Sequence, residues 1–207
     1  MYLETPLQQY LDDLASSQST PGGGSASALS GAMGAGLASM VARLTLGKAD
    51  YANVHQEIES LVQKTEQLRT RFQALMQEDI EAYGRLSACF KMPRTTDEER
   101  VARTQAIQAR LADAALVPLE VTECAAELLS YCQRIAEIGN KTVLSDIATG
   151  TMLASSAGTG ASWMVRTNLL VMKDLALVDK LSDRLNRALD TIATHSQQVI
   201  TLVGEKA

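Results

Sequence analysis

The sequence predicts an all-α protein, a helical bundle of about six helices with a central Gly/Ala-rich helix surrounded by the others. Hydrophobic residues make up 46% of the chain but aromatic residues only 4%, so small and aliphatic side chains must build the core. Such a core suits close-packed helices better than a β-sandwich. Apolar residues recur three and four positions apart over long stretches, and no stretch has a strand pattern. With 207 residues, we expect a single domain over 1–207.

Composition argues against several classes of function. A net charge of -5 disfavours a nucleic-acid-binding surface, which is usually basic. The three cysteines include no CxxC pair, which indicates thiols in a reducing compartment and hence a cytoplasmic protein. With two histidines and no Cys/His cluster, we expect no metal site. The N-terminus lacks an apolar signal segment, and the uncharged stretches 14–42 and 147–165 are too rich in Ser, Thr and Gly for membrane spans.

The first two predicted helices differ in character. Residues 2–17 predict a short amphipathic helix, whose apolar face is formed by Leu3, Leu7, Tyr10, Leu11 and Leu14. The run of small residues within 19–46 predicts the central helix, in which one row of tiny side chains recurs every four positions: Ser27, Gly31, Ala35 and Ser39. Such a row allows another backbone to approach closely.

The start of the central helix is itself a candidate site. Pro21 is followed by Gly22, Gly23, Gly24 and Ser25, which leaves backbone N–H groups free at a helix N-terminus, where anions bind well. No Lys-Ser/Thr pair follows, so the segment is not a P-loop, and no strand precedes it, so it is not a dinucleotide fingerprint. Two interpretations stay open: an anion or carbonyl site, and a flexible helix start capped by Ser25.

Residues 54–91 predict a long helix with an apolar stripe, and Asp79 falls on that stripe. Phe72 lies seven positions before it and Leu86 seven positions after it. Because burying an unpaired carboxylate is costly, Asp79 must be paired, hydrogen-bonded or functional. A structural bond to a neighbouring helix or arginine and a role as acid or base both fit the sequence.

Three further helices complete the bundle. Thr96 and Glu99 form a capping-box start for a helix over 97–138, which the Gly139–Asn140 pair ends. A second small-residue helix spans 142–172, and an amphipathic helix with a charged outer face spans 174–205.

The helix over 142–172 repeats the small-residue spacing of the central helix, with Gly150, Ala154 and Gly158 four positions apart. Two such rows suggest that these helices pack on each other or on a symmetry mate. Asp146 is the last charge before a long uncharged run that reaches Arg166. It is either an acid that the helix dipole favours in the first turn or a functional group.

Several segments together resemble one family. They are TPGGGSASALSGAMGAGLASMVARLTLGK at 20–48, EDIEAY at 78–83, MPRTTDEER at 92–100, GNKTVLSD at 139–146 and the Asn168-Leu169 pair. They resemble, in order and over nearly the whole chain, the formimidoyltetrahydrofolate cyclodeaminase and methenyltetrahydrofolate cyclohydrolase family, with the loop closer to the free-standing bacterial cyclohydrolases. One departure is Met164-Val165, where relatives often carry Asn-Val.

The resemblance implies one-carbon chemistry on tetrahydrofolate without a metal or redox cofactor. It implies Asp79 and Asp146 as acid/base carboxylates, the latter alternatively holding the pterin edge. Lys48 would attract the glutamate tail, although a solvated surface lysine is the plain alternative. The backbone of Gly22, Gly23, Gly24 and Ser25 would bind a carbonyl or carboxylate of the folate. The other residues expected to orient substrate, water or Asp79 are Tyr83, Asn140, Ser145 and Asn168.

The family that the chain resembles includes two reactions on folate. No formimidoyltransferase domain accompanies this chain, which favours hydrolysis of 5,10-methenyltetrahydrofolate over cyclodeamination of 5-formimidoyltetrahydrofolate. The alternatives are a different small-molecule enzyme on the same scaffold, suggested by Met164, and a non-enzymatic helical scaffold protein. Relatives are homodimers with folate sites near the subunit interface, so we expect a homodimer here, with no nucleic-acid or membrane partner.

Overall fold

The computed structural model describes residues 2–206, and within them it contains helices and no strands. The six α-helices are α1 Leu7–Leu14, α2 Gly23–Leu46, α3 His55–Phe90, α4 Asp97–Ile138, α5 Leu144–Leu170 and α6 Leu175–Lys206. Short 3-10 helices span Tyr2–Glu4, Ala49–Val54 and Lys141–Val143. The prediction of an all-α bundle of about six helices is confirmed, and the predicted bounds of α3 to α6 lie within two residues of the observed ones.

The helix α2 packs against α3, α4 and α5, while α6 covers the far side of α4 and α5. Its small residues bring the neighbouring backbones close. A Cβ atom at Gly34 would lie 2.8 Å from the Gly150 carbonyl oxygen, and one at Gly150 would lie 3.1 Å from the Gly34 carbonyl oxygen. The two small-residue helices therefore pack on each other, as predicted, but the closest contact on α2 is made by Gly34, which lies outside the predicted row. Gly31 of that row lies against the ring of Phe72 on α3 instead. One side of α2 faces outward, so the helix is central to the packing without being enclosed all round.

The prediction of one N-terminal helix over 2–17 is wrong in its extent, because a 3-10 helix spans Tyr2–Glu4 and α1 only Leu7–Leu14, and in part of its apolar face. Tyr10 is the buried residue of α1, whereas Leu3, Leu7 and Leu11 are exposed. With Tyr10 turned inward, Leu7 and Leu11 lie on the outer side of α1, whereas Leu14 is half-buried against the core.

The two termini of α2 define two ends of the bundle. At the upper end, defined by the N-terminus of α2, Gly24 meets Asp79 of α3. At the lower end, defined by the C-terminus of α2, the hydroxyl of Thr45 accepts a hydrogen bond from the Asn140 N–H at 2.9 Å. The 24 residues of α2 separate the two ends by about 36 Å, at 1.5 Å per residue.

Candidate active site

The connection from α1 ends in a turn that leaves backbone donors at the start of α2. The first hydrogen bond of the helix runs from the Ala26 N–H to the Gly22 carbonyl at 3.0 Å, so the N–H groups of Gly23, Gly24 and Ser25 have no partner within the helix. The Ser25 hydroxyl closes the turn, because it accepts from the Gly22 N–H at 3.2 Å and donates to the Gly22 carbonyl at 3.0 Å. The start of α2 is thus both capped by Ser25 and open to a ligand.

The carboxylate of Asp79 lies directly against this first turn. A Cβ atom at Gly24 would lie 2.1 Å from Oδ1 of Asp79, so the carboxylate occupies space that only a glycine leaves free. Burial raises the pKa of Asp79 to about 6, and the facing Ser25 N–H lowers it by a smaller amount. No cationic side chain among residues 2–206 contributes to that pKa. The arginine partner that the sequence allowed is therefore not present in the described part of the chain.

A cavity of about 270 Å³ opens beside Asp79. It is lined by the α1–α2 connection and by α2, α3, α4 and α5, through Ser19, Thr20, Gly22, Gly24, Asp79, Ala82, Tyr83, Ala114, Met164, Thr167 and Asn168. Asp79 is the one acid in this lining, and the lining contains no lysine, arginine or histidine. The site therefore presents a single carboxylate among uncharged walls.

The amide of Asn168 has a fixed orientation at the cavity wall. Its Nδ2 donates to the carbonyl oxygens of Ala114 and Met164, both at 2.9 Å. Both amide hydrogens are used in these bonds, so Oδ1 is the atom left to accept a hydrogen bond from a ligand.

The tyrosine expected to assist Asp79 stands at the rim of the cavity. Tyr83 follows Asp79 by one turn of α3, lines the cavity and is 40% exposed. Its hydroxyl makes no hydrogen bond to another residue in the 2–206 range, so it is free to contact a ligand.

The remaining predicted residues lie at the lower end. Lys48 donates from Nζ to Oδ1 of Asn140 at 3.2 Å, and that oxygen also accepts from the N–H and hydroxyl of Thr142. Asn140 is buried, Ser145 is exposed, and Asp146 is half-buried in the first turn of α5. Lys48, Asn140 and Thr142 form a polar cluster in which Oδ1 of Asn140 accepts three hydrogen bonds.

The structure therefore divides the predicted site into two sets. The upper set is Gly22, Gly23, Gly24, Ser25, Asp79, Tyr83 and Asn168, and the lower set is Lys48, Asn140, Ser145 and Asp146. Within one chain the two sets lie on opposite ends of α2 and cannot contact the same small molecule.

Comparison with known proteins identifies the fold family. Residues 6–187 match the family model described as formiminotransferase-cyclodeaminase, which is most of the chain. The chain belongs to the formiminotransferase-cyclodeaminase family.

Individual relatives agree with this family assignment. The chain is 34% identical over 200 residues to a methenyltetrahydrofolate cyclohydrolase of Methylorubrum extorquens, covering 97% of this chain and 96% of that protein. It is 29% identical to the formimidoyltransferase-cyclodeaminase of Rattus norvegicus, of which it spans 37%. A crystal structure of formiminotetrahydrofolate cyclodeaminase from Thermotoga maritima matches with a TM-score of 0.89 and 27% identity, covering 99% of this chain and 98% of that one.

Two features of residues 2–206 concern metal binding and membrane insertion. No three histidine, cysteine or acidic side chains in that range are grouped so that they could hold a metal ion. One described helix, α2, is long and apolar enough to span a membrane, and half of its most apolar window is buried inside the bundle. The core helix of a bundle can be as long and as apolar as a membrane span.

Sequence reasoning missed several residues of the cavity wall. Ser19, Thr20 and Thr167 carry no sequence signal, since isolated hydroxyl residues occur throughout this chain. Met164 was noticed only as a departure from relatives, yet its sulfur would lie 3.5 Å from a Cβ atom at Gly23. Tyr10 does not line the cavity, and the apolar periodicity that places it with leucines does not reveal its polar contact with Ser25.

Proposed function

We propose that this family member hydrolyses 5,10-methenyltetrahydrofolate to 10-formyltetrahydrofolate. Water adds to the cationic carbon that bridges N5 and N10, and the tetrahedral intermediate opens by breaking its bond to N5. The water loses both of its protons over the two steps: N5 takes one as its bond to the carbon breaks, and the other is released to solvent. Acid–base groups suffice for these steps, so we propose that no metal or redox cofactor takes part.

The observation that carries the proposal is the buried carboxylate of Asp79 beside the open first turn of α2. It supports this reaction because the chain resembles a named methenyltetrahydrofolate cyclohydrolase along almost its whole length. An ionised Asp79 would stabilise the positive amidinium of the substrate and accept the proton of the attacking water. A pKa of about 6 keeps this carboxylate mostly ionised at neutral pH while making it a better base than a solvated aspartate.

The rest of the upper end would bind the substrate. The free N–H groups of Gly23 and Gly24 suit a carbonyl or carboxylate oxygen, and Oδ1 of Asn168 suits an N–H donor. Tyr83 would position Asp79 or the attacking water. The cavity of about 270 Å³ lies just below the usual range of ligand pockets, so it suits the reacting end of a folate rather than the whole molecule.

The lower set enters this proposal through a second copy of the chain. If two copies pair about a two-fold axis that crosses the middle of α2, the N-terminus of one α2 lies beside the C-terminus of the other. Lys48, Asn140, Ser145 and Asp146 of one copy would then complete the cavity of its partner. We propose such a homodimer, with Lys48 attracting the glutamate tail and Asp146 acting as second acid or as the group that holds the pterin edge.

The outward faces of α2 and α5 support this pairing. They lie side by side, joined by a hydrogen bond from the Ser30 hydroxyl to the Leu153 carbonyl at 2.9 Å. Their exposed residues are mostly uncharged and partly apolar, with Met33, Met40 and Leu44 on α2 and Thr149, Met152, Ser156, Thr159 and Trp163 on α5. Arg43 and Arg166 flank them, the latter over the ring of Trp163. Contiguous apolar surface of this kind is typical of protein interfaces. A monomer in light scattering at assay concentration would contradict the dimer.

The first experiment follows the absorbance of 5,10-methenyltetrahydrofolate with the non-enzymatic rate subtracted. We expect the native chain to accelerate its decay and Asp79→Asn to lower kcat/KM by about 10²- to 10⁴-fold, as for loss of a general base. The control is Glu81→Gln, an exposed carboxylate on the same helix, which should retain activity. If Asp79→Asn turned over like the native chain, Asp79 could not be the catalytic carboxylate.

The second experiment tests whether one site needs two chains. Asp79→Asn and Asp146→Asn chains, each inactive alone, are unfolded together and refolded as a mixture. Random pairing makes half of the dimers mixed, and each mixed dimer has one site with both native carboxylates, so about a quarter of the native activity should return. No recovery in a mixture shown to contain mixed dimers would contradict the shared site.

Cyclodeamination of 5-formimidoyltetrahydrofolate is the second candidate, favoured by the similarity to the Thermotoga maritima cyclodeaminase over 99% of this chain. It passes through a related tetrahedral carbon between two nitrogens and expels ammonia, so ammonia release from that substrate distinguishes it. A non-enzymatic scaffold predicts that neither folate raises the melting temperature, whereas a ligand that binds the native state raises it. We also propose a cytoplasmic protein without a nucleic-acid or membrane partner, consistent with a net charge of -5.

A further inference from the structure

The one buried side chain of α1 reaches the candidate site. Tyr10 is 2% exposed although Leu7 and Leu11 on either side of it in α1 face outward. Its ring packs edge-on against the ring of Tyr2, with centroids 5.2 Å apart, and its hydroxyl lies 3.2 Å from Oγ of Ser25. The residue therefore connects α1 with the first turn of α2.

The hydrogens of this contact can be assigned by counting donors. Ser25 has one hydroxyl hydrogen, and it has a good acceptor in the Gly22 carbonyl at 3.0 Å. If that hydrogen went to Tyr10 instead, the buried hydroxyl hydrogen of Tyr10 would have no acceptor among residues 2–206. The arrangement that uses both hydrogens has Tyr10 donating to Oγ of Ser25 and Ser25 donating to Gly22.

Ser25 then has its side-chain oxygen fully engaged. Its Oγ accepts from Tyr10 and from the Gly22 N–H, and it donates to Gly22. These three hydrogen bonds fix the position of one hydroxyl and with it the first turn of α2, in which Gly24 lies against the Asp79 carboxylate. The Ser25 N–H of the same turn lowers the pKa of Asp79. Tyr10 itself does not line the cavity, so it would reach a ligand only through Ser25.

We infer that Tyr10 is a positioning residue, which holds the first turn of α2 in place through Ser25 so that the Ser25 N–H stays directed at the Asp79 carboxylate. The catalytic meaning of this role rests on the function proposed above, because it matters for turnover only if Asp79 is the reacting carboxylate. The contact itself can be tested without any substrate.

Few titratable side chains lie near Asp79, so its titration can be measured without interference from neighbours. Tyr10 from α1 and Tyr83 from its own helix are the titratable side chains near it in the described chain, and α2, α4 and α5 contribute none to the cavity lining. Burial and the Asp79 charge both raise the pKa of Tyr10, so its hydroxyl stays protonated in the range where Asp79 titrates.

The test compares Tyr10→Phe with the native chain. This change keeps the ring and removes the hydroxyl, and Tyr131→Phe is the matched control, because it removes a hydroxyl that bonds to exposed Glu127. The Asp79 carboxyl carbon is followed by NMR across pH 4–8 in chains labelled at aspartate, with Asp79→Asn used to assign its signal. We expect the Tyr10→Phe midpoint to rise by about half a unit, since a looser Ser25 N–H stabilises the carboxylate less.

A double-mutant comparison separates positioning from general loosening. Ser25→Ala should raise the midpoint at least as far, and Tyr10→Phe combined with Ser25→Ala should match Ser25→Ala alone, because Tyr10 acts through Ser25. In the folate assay, kcat/KM of Tyr10→Phe should fall by about threefold to tenfold, with the acidic limb of its pH profile moving by the same amount as the NMR midpoint.

An Asp79 midpoint unmoved in a folded Tyr10→Phe chain overturns the inference, as do additive shifts in the double variant. The same holds if Ser25→Ala shifts the midpoint but Tyr10→Phe does not. If the native chain hydrolyses no folate, the proposed function fails while the NMR comparison still decides the role of Tyr10.

Discussion

The two ends of α2 carry polar groups under opposite conditions. At the upper end, the carboxylate of Asp79 is buried against Gly24 with its pKa raised, and no cationic side chain of the described chain pairs with it. At the lower end, Lys48, Asn140 and Thr142 bond to one another, and Lys48 remains exposed. The upper end buries an acid, which lowers the free energy of unfolding, whereas the polar groups of the lower end form hydrogen bonds with one another.

This difference separates two kinds of candidate residue. A buried carboxylate without a cationic partner is unfavourable for folding, so its presence in a cavity indicates use in chemistry. A cluster with satisfied bonds gives no such indication, and it gains a role only if something else reaches it. The upper end can therefore be judged from one chain, and the lower end only from an assembly.

The largest expected difference in activity is between two variants that each add one methyl group, one at each end of α2. In Gly24→Ala the new Cβ would lie 2.1 Å from Oδ1 of Asp79, so the carboxylate must move. In Gly47→Ala the nearest atom is the Leu44 carbonyl oxygen at 3.9 Å, and the backbone φ of -71° suits alanine. We expect kcat/KM to fall about 100-fold or more in Gly24→Ala, the size that follows from misplacing a reacting group by an ångström, and by less than about twofold in Gly47→Ala. Equal activity of the two variants would contradict the comparison.

The next effect concerns stability and pH at the upper end. Burial raises the pKa of Asp79 from 3.8 to about 6, so between these values the folded state holds a proton that the unfolded state has lost. The free energy of unfolding therefore falls as pH rises from about 4 to 6, by on the order of 2 kcal/mol after discounting for partial solvent access. Asp79→Asn cannot ionise and should be more stable than the native chain at pH 8 by about that amount, with the advantage gone near pH 4.

Urea unfolding of both chains at pH 4, 6 and 8 measures this difference. Glu81→Gln serves as the control on the solvated side of α3, where a surface substitution should change the free energy of unfolding by less than about 0.5 kcal/mol. A native chain that is more stable than Asp79→Asn at pH 8 would mean that the carboxylate is favourably solvated or paired, and the contrast between the two ends would be lost.

The helices and part of their packing could be predicted from the sequence. Helix bounds were readable because apolar periodicity, the Thr96–Glu99 capping box and the glycine ends act locally, and the structure shows both bonds of that box. The close packing of α2 on α5 was readable from repeated small residues. The exposure of Leu7 and Leu11 on α1 could not be predicted, because an apolar helix face does not show which surface, if any, covers it.

The site was readable only where one residue broke a pattern. Asp79 is an acid on the apolar stripe of α3. Because that stripe faces the core, it also brings the carboxylate against Gly24. Asn168 was predicted to orient a ligand, but the acceptor role of its Oδ1 depends on carbonyl groups of α4 and α5 that only the packed bundle brings together. The separation of Lys48 from Asp79 was also hidden, since sequence order does not reveal which end of a helix faces which neighbour.

A smaller effect is expected where the upper end departs from its relatives. Met164 lines the cavity with an apolar side chain, and Asn168 donates to its carbonyl, which a substitution leaves in place. Met164→Asn should raise KM for 5,10-methenyltetrahydrofolate by about tenfold through lost apolar contact and leave kcat nearly unchanged, whereas Met164→Leu should change both little. A lower kcat with unchanged KM in Met164→Asn would place this residue in the chemical step instead.

The smallest expected effect on folding belongs to Lys48 at the lower end. Its ammonium is exposed and its bonds to Asn140 and Thr142 are 3.2 and 3.4 Å long, so Lys48→Met should change the free energy of unfolding by less than about 0.5 kcal/mol. The neighbouring exposed lysine offers a control in Lys141→Met. If a partner copy brings Lys48 to the glutamate tail, KM for the folate should rise about fivefold in Lys48→Met alone, and less at high salt, since exposed charges are screened. The same KM for both variants would leave the lower cluster a local structural feature and the upper end the whole of the site.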